Sequence, residues 1–326
     1  MSLVELAEPE PAPEAAQAIS RRRFSWTLVR RLGVALLSIW GVGTIVFFIT
    51  RLTGNPIRLM APPGASSQQI AATERFFGLN RPLYEQYWTY LRGLVHLDFG
   101  QSYFWNQPAA SVVFSHFGPT IILALISFGV TIVIALPAAL VAAHREGGWL
   151  DRVFTVLASF GIAVPQFWLG PLLIIVFAVT LHFLPASGNN GVGHYILPVI
   201  TLSAVQVAIL FVLARAAMAK ELRRPYIDEA RSKGVRGRRL MLSHVAPNAG
   251  LELLTLTGLV LANLIAGDII VENVFAWPGI GQLLTSSVQE FDFPVIEAIT
   301  LVYSIVFIGI LFVVDTLYRI VDPRAS

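Results

Sequence analysis

The chain has 326 residues, of which 55% are hydrophobic and 13% are charged, and its formal net charge at pH 7 is +3. Soluble domains carry about 25% charged residues, so this composition excludes an ordinary water-exposed exterior. The lack of cysteine excludes disulfide scaffolds and thiolate metal sites. Lipid is therefore the solvent expected for most of the chain.

The first 27 residues differ from the rest of the chain. Residues 1–20 are acidic and rich in Pro and Ala, which predicts a disordered leader rather than the basic start of a signal peptide. Arginines at positions 21–23, 30 and 31 then mark the entry into the membrane. We assign residues 1–27 to a leader with a basic membrane-entry segment and residues 28–50 to the first spanning helix.

Six segments are long and apolar enough to span a bilayer, which requires about 20 residues each. They are Leu32–Thr50, Phe117–Ala143, Val153–Leu181, Tyr195–Ala214, Ala249–Val271 and Ala298–Leu317. The third contains Pro165, which predicts a kink or a break. We assign residues 119–318 to a core that holds the last five spans, and residues 319–326 to a tail.

The distribution of Lys and Arg predicts the orientation of the spans. Of the 23 basic residues, 18 fall on the side of the two termini, and nine of these lie between residues 215 and 239. The other five lie in residues 51–118, a segment of a length at which the rule loses force. The short loops 185–194 and 272–296 have none. We expect both termini to be cytoplasmic.

Residues 51–118 form a long segment that we expect on the external side. A turn at Gly54-Asn55-Pro56 precedes two predicted helices, one capped near Ser66 and ending near Gly78, and one over residues 82–97. The face of the second helix is expected to carry Tyr84, Tyr87, Trp88 and Leu91. The aromatic residues fit an aromatic belt at the lipid headgroups, or a lid that docks an external partner.

Residues 215–249, which we expect on the cytoplasmic side, carry the most informative sequence pattern of the chain. Pro225 suits a helix start and Gly234 suits its C-terminal cap, with acidic residues in the first turn and basic residues in the last. A second short helix is predicted from about Arg238 to Val245, ending before Pro247. Two short helices with a glycine corner would transmit force to a soluble partner. The alternative is a basic loop held to anionic lipid.

This spacing resembles the EAA loop of ABC-importer permeases. The family pattern is Glu-Ala-Ala, three residues, Gly, nine residues and Ile-x-Leu-Pro. Ala230, Gly234 and Pro247 match their positions, whereas Asp228 and Glu229 replace the Glu and the first Ala. The residues at 244 and 246, His and Ala, replace the Ile and the Leu.

Other stretches resemble dipeptide/oligopeptide-type permeases, so that the resemblance covers about Arg30 to Arg324. They are Gly78–Leu83, Asp98–Ser102, Leu184–Gly188, His194–Pro198, Tyr226–Gly234, Val271–Gly281 and Asp315–Arg324. Asn55 stands where the family usually has Asp, and Glu252 where it usually has Pro. The local roles of these two residues stay open at this point.

The resemblance implies an all-α, polytopic membrane protein with six transmembrane helices of the type I ABC importer permease fold, and with an external helical segment after the first helix. It implies a non-enzymatic subunit of the bacterial inner membrane that forms half of the translocation pathway for peptides or a similar small solute. The implied partners are a second related permease, two cytoplasmic ABC ATPases and an external solute-binding protein, with no nucleic acid and no cofactor.

In that family the EAA loop forms the coupling helix, which docks in a groove of the ATPase. The resemblance places this helix at about Pro225–Gly234. It implies packing roles for Tyr226, Ile227 and Ala230, and polar contacts for Asp228, Glu229 and Arg231.

Polar residues inside the predicted spans are candidates for the transport pathway, because lipid solvates them poorly. Gln206, Asn263 and Asp268 either line the pathway or form hydrogen bonds between helices. Asp315 precedes Arg319 by four residues, which predicts an ion pair at the membrane surface.

Missing motifs exclude other chemistry. The sequence has no Gly-x-x-x-x-Gly-Lys-[Ser/Thr] phosphate loop, no Gly-x-Ser-x-Gly motif and no His spacing typical of metal ligands. We therefore expect no catalytic residues and no metal site. The alternative function is a stand-alone secondary transporter or channel, which predicts intramembrane charged pairs or inverted repeats. The sequence does not distinguish dipeptide, oligopeptide, glutathione, nickel chelate and sugar as substrates.

Overall fold

Helices make up most of the chain in the computed structural model, which describes residues 13–61, 64–266 and 269–321. Within these ranges there are fourteen α-helices and no β-strand. Residues 13–27 of the predicted leader lie in the first helix, and residues 1–12 are outside the described part. The first four helices are α1 (Pro13–Leu52), α2 (Pro56–Met60), α3 (Ser67–Phe76) and α4 (Leu83–Val95).

The remaining ten helices form the body of the protein. They are α5 (Ala109–His144), α6 (Trp149–Ala163), α7 (Gln166–Leu173), α8 (Gly193–Glu221), α9 (Pro225–Ser232), α10 (Gly237–Leu240), α11 (Ala246–Ala266), α12 (Ile269–Val274), α13 (Ile280–Gln289) and α14 (Phe293–Val321). Wider π-helical turns extend α7 over Ile174–Thr180 and join α10 to α11 over Met241–Val245.

Five helical segments in the described part are long and apolar enough to cross a membrane, and α6 with α7 makes a sixth if the pair is one span. This agrees with the predicted count of six. The axes of α6 and α7 meet at 97°. The break falls at Val164 and Pro165, which are both extended, because a proline disfavours the helical conformation of the residue before it. The predicted break at Pro165 is therefore confirmed.

The main core lies where α5 packs against α8, with α6 and α11 beside them. Its buried residues include Ala135 and Ala139 of α5 and Ala214 and Ala217 of α8. Small side chains let helix backbones approach closely, which is how helices associate where lipid removes the usual hydrophobic driving force. The alanine-rich composition of these spans thus explains their tight packing.

The short helices α2 and α3 are tied together by side-chain caps. Ser66 and Gln69 form the reciprocal capping box that starts α3, as the sequence predicts. The Asn55 side chain accepts from the Ile57 N–H at 3.0 Å, which caps α2, and donates to Glu74 at 2.8 Å. An aspartate at position 55 would cap α2 equally well, but it would repel Glu74.

Helix α4 packs on α1 through two of its tyrosines. Tyr87 and Tyr90 contact the ring of Phe47, with ring centroids 5.3 and 5.1 Å apart. Tyr84 and Trp88 are exposed instead. Tyr84, Tyr87, Trp88 and Leu91 recur every three or four residues along α4 and therefore share one side of the helix, as predicted.

Two buried acidic residues at the start of α14 bind the C-terminal end of α1 and the loop before α5. Glu297 pairs with Arg51 at 2.9 Å and accepts from the Thr50 hydroxyl at 3.0 Å. Asp292 accepts hydrogen bonds from the Ser102 hydroxyl and from the Tyr103 N–H, the latter at 3.0 Å. Burial raises the pKa of Asp292 above its ordinary value, although these hydrogen bonds oppose the shift.

Candidate functional site

Helix α9 has sequence signals at both ends. Pro225 occupies its first turn after the extended Arg224, and Gly234 lies just beyond its end with a φ of +87°. The Gly234 N–H donates to the Arg231 carbonyl, and the next N–H, of Val235, donates to the Ala230 carbonyl, each at 3.0 Å. This pair of bonds is a Schellman motif. The predicted glycine cap is therefore confirmed.

One face of α9 is buried in this chain. Ile227 is fully buried and Ala230 nearly so, in the same core cluster as Met241 and Val245 at the base of α11. The Tyr226 hydroxyl donates to Glu221 at 2.9 Å, and burial together with that carboxylate raises the pKa of Tyr226 to about 12. The helix is thus fixed rigidly to the ends of α8 and α11.

The opposite face of α9 is charged and exposed. Arg231 lies 3.2 Å from Asp228, and Lys233 lies 2.7 Å from Glu229. The Lys233 hydrogen bond lowers the pKa of Glu229. These exposed pairs add little stability, so the charged face is available to a partner. The resemblance assigns packing roles to Ile227 and Ala230, and both lie on the buried face. It assigns polar contacts to Asp228, Glu229 and Arg231, and these lie on the exposed face.

The helix predicted to end before Pro247 continues through it. Five residues, Met241–Val245, form a π-helical turn, and α11 follows directly from Ala246. Proline has no N–H for the ordinary helical bond, and its ring clashes with the preceding turn. The wider turn relieves this conflict and leaves the His244 carbonyl to accept from Asn248 Nδ2 at 2.5 Å. The predicted stop was wrong for this reason.

An arginine–aspartate pair joins α6 to α8. Arg215, on α8, donates to both carboxylate oxygens of Asp151, with distances of 2.5 and 2.7 Å. The Gly147 N–H donates to the same carboxylate at 2.8 Å. A fork of two parallel bonds gives a defined geometry as well as energy. A second link joins α8 to α11, where Lys220 lies 3.4 Å from Glu252.

The pathway candidates differ in their surroundings. Gln206 on α8 is half-buried and Asn263 on α11 is exposed, and neither side chain has a hydrogen-bond partner among the described residues. Asp268 lies outside the described residues. Asn263 continues an exposed stripe of α11 that also contains Glu252, Thr255 and Leu259, whereas the exposed stripe of α14 is apolar.

Glu272 has a role that the sequence did not reveal. Its carboxylate accepts from the Thr120 hydroxyl at 2.7 Å and from the Gly281 N–H at 2.6 Å, so it joins α5 to the start of α13. The Trp277 indole donates to the Pro119 carbonyl at 3.1 Å in the same junction. The signal that could have indicated this role is an acidic residue at the border of an apolar span, eight residues before the start of α13.

Asp315 binds a more distant base than expected. Its carboxylate pairs with Arg31 of α1, while the side chain of Arg319, the predicted partner, is outside the described part. Among the described residues, no cluster of three His, Asp or Glu side chains is arranged to hold a metal ion.

Comparisons with known proteins identify this architecture. Residues 135–326 match the family described as the binding-protein-dependent transport system inner membrane component, and residues 23–135 match the family of its N-terminal part. The chain is 39% identical over 297 residues to the glutathione transport system permease protein GsiC of Escherichia coli (strain K12), covering 91% of this chain and 97% of the relative. GsiC of Shigella dysenteriae serotype 1 is similar to the same extent.

A solved chain of the MetNI methionine ABC transporter, in an inward-facing conformation, has the same fold. The TM-score is 0.52 at 17% identity, and the match covers 64% of this chain and 96% of that chain. The predicted type I importer-permease fold is thereby confirmed. Permeases of this family are not enzymes, and separate ATPase subunits hydrolyse ATP. The chain belongs to the family of inner-membrane components of binding-protein-dependent transport systems, the permease subunits of ABC importers.

Proposed function

We propose that this chain forms half of the translocation pathway of an ATP-driven importer for glutathione or a similar small peptide. Its partners in this proposal are a second, related permease, two cytoplasmic ATPases and an external solute-binding protein. The 39% identity to glutathione permeases supports the solute class. The alternative of a stand-alone secondary transporter or channel is not favoured, because the relatives are subunits of binding-protein-dependent systems.

The two-faced structure of α9 is the observation that carries the proposal. Ile227 and Ala230 fix the helix to the membrane core, while Asp228, Glu229 and Arg231 point away from it. A helix held in this way moves together with α8 and α11. We therefore assign α9 as the coupling helix, which docks on an ATPase and transmits its closure to the spans as a rigid-body motion.

The exposed polar stripe of α11 supports a pathway on that side of the chain. Thr255, Leu259 and Asn263 recur every three or four residues, which places them on one helix face. An amide without a partner is costly in contact with lipid. We infer that this face, together with Gln206 of α8, meets water and solute where the two permeases join.

The proposed orientation puts α9 in the cytoplasm and helices α2–α4 outside. It rests on the 18 of 23 basic residues that fall on the side of the termini. The chain has no cysteine, so single cysteines introduced at Arg236 and at Thr89 can each be labelled with a membrane-impermeant maleimide. We expect labelling of Thr89→Cys in intact cells and of Arg236→Cys only in inverted membrane vesicles.

Charge reversal on the exposed face of α9 tests the proposed function. Asp228→Arg leaves the buried face of the helix unchanged. In vesicles that contain the complete importer, we expect about tenfold slower ATP-dependent uptake of labelled glutathione, the effect of losing about 1.4 kcal/mol of docking energy. ATP hydrolysis should continue without stimulation by the binding protein.

The matched control is Glu290→Arg, which reverses an exposed acidic residue at the end of α13. Its uptake should equal that of the wild type. Wild-type uptake by Asp228→Arg would contradict the coupling assignment. Uptake by the purified chain without any ATPase would contradict the importer proposal as a whole.

A further inference from the structure

A groove lies between α1 and α14, beside the ion pair of Arg31 and Asp315. Its volume is about 470 Å³. Its polar hydroxyl, from Ser38, donates to the Val34 carbonyl at 2.9 Å and is therefore satisfied within α1. The walls are otherwise apolar, formed by Val34, Ala35, Ile308, Leu311 and Phe312.

The mouth of the groove is cationic. Arg30 and Arg31 border it together with Asp315. Asp315 is paired with Arg31, whereas Arg30 is exposed and has no ion-pair partner among the described residues. Counting the described side chains alone, the mouth therefore carries one uncompensated positive charge, on a guanidinium whose planar fork suits phosphate oxygens.

The position of the groove in the fold indicates what kind of molecule occupies it. In the spanning part of α1, 11% of residues are buried, compared with 50% in α8. Leu36 and Leu37 are each more than 60% exposed. The span of α1 is therefore the least buried of the five in the described part. We place its exposed face against lipid, where an apolar groove takes up an acyl chain rather than a water-soluble ligand.

We propose that this groove binds an anionic phospholipid, with one acyl chain between α1 and α14 and the phosphate held by Arg30. The apolar walls favour an acyl chain, and the guanidinium of Arg30 favours a negatively charged headgroup. Basic pockets between membrane helices bind anionic lipid headgroups by the same physics. The bound lipid would stabilise the contact of α1 with α14 beside the Arg31–Asp315 pair.

Native mass spectrometry of the full chain in mild detergent tests the proposal. Phosphatidylglycerol and phosphatidylcholine with identical acyl chains are titrated separately, and glycerol phosphate is used as the headgroup alone. We expect phosphatidylglycerol to bind about fivefold more tightly than phosphatidylcholine, as one arginine near the membrane surface contributes. Glycerol phosphate should not bind, because it lacks the acyl chain.

Two variants test recognition of the headgroup and recognition of the acyl chain independently. Arg30→Gln should remove the preference for phosphatidylglycerol, and Ala35→Phe should fill the groove and weaken both lipids. Arg75→Gln is the matched control, because Arg75 is an exposed arginine outside the groove, and it should bind as the wild type does. Arg30 is exposed, so its replacement tests the proposal even if Ala35→Phe does not fold.

Equal binding of the two lipids by the wild type, or an unchanged preference in Arg30→Gln, would overturn the proposal. Occupation by a protein helix would overturn it as well. That outcome would appear as a cross-link from Val34→Cys to another protein chain in native membranes, where we expect no such cross-link.

Discussion

The Thr120 hydroxyl donates a 2.7 Å hydrogen bond to the carboxylate of Glu272, across 152 residues of sequence. The same hydroxyl accepts from the Ile280 N–H at 2.9 Å, and the second carboxylate oxygen accepts from the Gly281 N–H at 2.6 Å. A negative charge at the start of α13 also suits the helix dipole. One buried side chain thus joins α5, α12 and α13 into a single unit.

Removal of the Glu272 carboxylate should destabilise this junction. In Glu272→Ala, each donor that loses its acceptor costs about 1–3 kcal/mol, so we expect a clear fall in the thermal unfolding midpoint in detergent. Glu272→Gln keeps one acceptor oxygen and should lose less. The exposed Glu290 provides the control, and Glu290→Ala should leave the midpoint unchanged. An unaltered midpoint in Glu272→Ala would contradict the structural role.

A methyl group at Gly279 should have a similar effect. A Cβ there would overlap the carboxylate of Glu272, so the carboxylate must move. We expect Gly279→Ala to lower the unfolding midpoint, and the double variant with Glu272→Ala to be no worse than the sum of the two. Gly250→Ala is the control, because a Cβ at that position meets no atom within 4 Å and alanine favours a helix.

Substitutions at Gly234 should impair coupling more strongly when the new residue is less able to adopt a left-handed backbone conformation. No atom lies within 4 Å of a Cβ at this position, but the φ of +87° disfavours other residues. Asn visits this conformation, whereas a β-branched side chain costs about 1–2 kcal/mol or more. We expect near-normal ATP-dependent uptake for Gly234→Asn and impaired uptake for Gly234→Val, with both chains inserted. The reverse order would exclude a conformational role for this cap.

The stability of the loop at Ser102–Trp105 should depend on pH through Asp292. Burial raises the folded-state pKa of this carboxyl above its unfolded value. The stabilisation that this carboxyl gives to the folded state is therefore complete at pH values below its unfolded-state pKa of about 3.9. It decreases as pH rises through the folded-state pKa. Relative to Asp292→Asn, the wild type should lose stability as pH rises above about 4. Parallel stability curves for the two proteins would contradict this.

The features predicted from the sequence are those that depend on neighbours in the chain. The Ser66–Gln69 capping box, the Gly234 cap and the break at Pro165 each depend on a few adjacent residues. Apolar run length likewise gives the spans.

Features that depend on distant contacts were missed or wrong. The Glu272–Thr120 bond and the pairing of Asp315 with Arg31 join residues far apart in sequence. Pro247 was expected to end a helix, but a π-helical turn accommodates it. In each case the outcome depends on tertiary packing, because local sequence preferences alone do not determine which contact or backbone conformation forms.

Site-directed cross-linking tests the central claim, the docking of α9 on an ATPase, most directly. The chain has no native cysteine, so Arg231→Cys on the exposed face of α9 places one reactive thiol there, and Glu290→Cys serves as the control. In the assembled importer, a maleimide–benzophenone cross-linker attached to Arg231→Cys should photo-link to C–H bonds of the ATPase subunit, and the same reagent on Glu290→Cys should give no ATPase product. Absence of the ATPase product from Arg231→Cys, or an equal yield from both positions, would contradict the account.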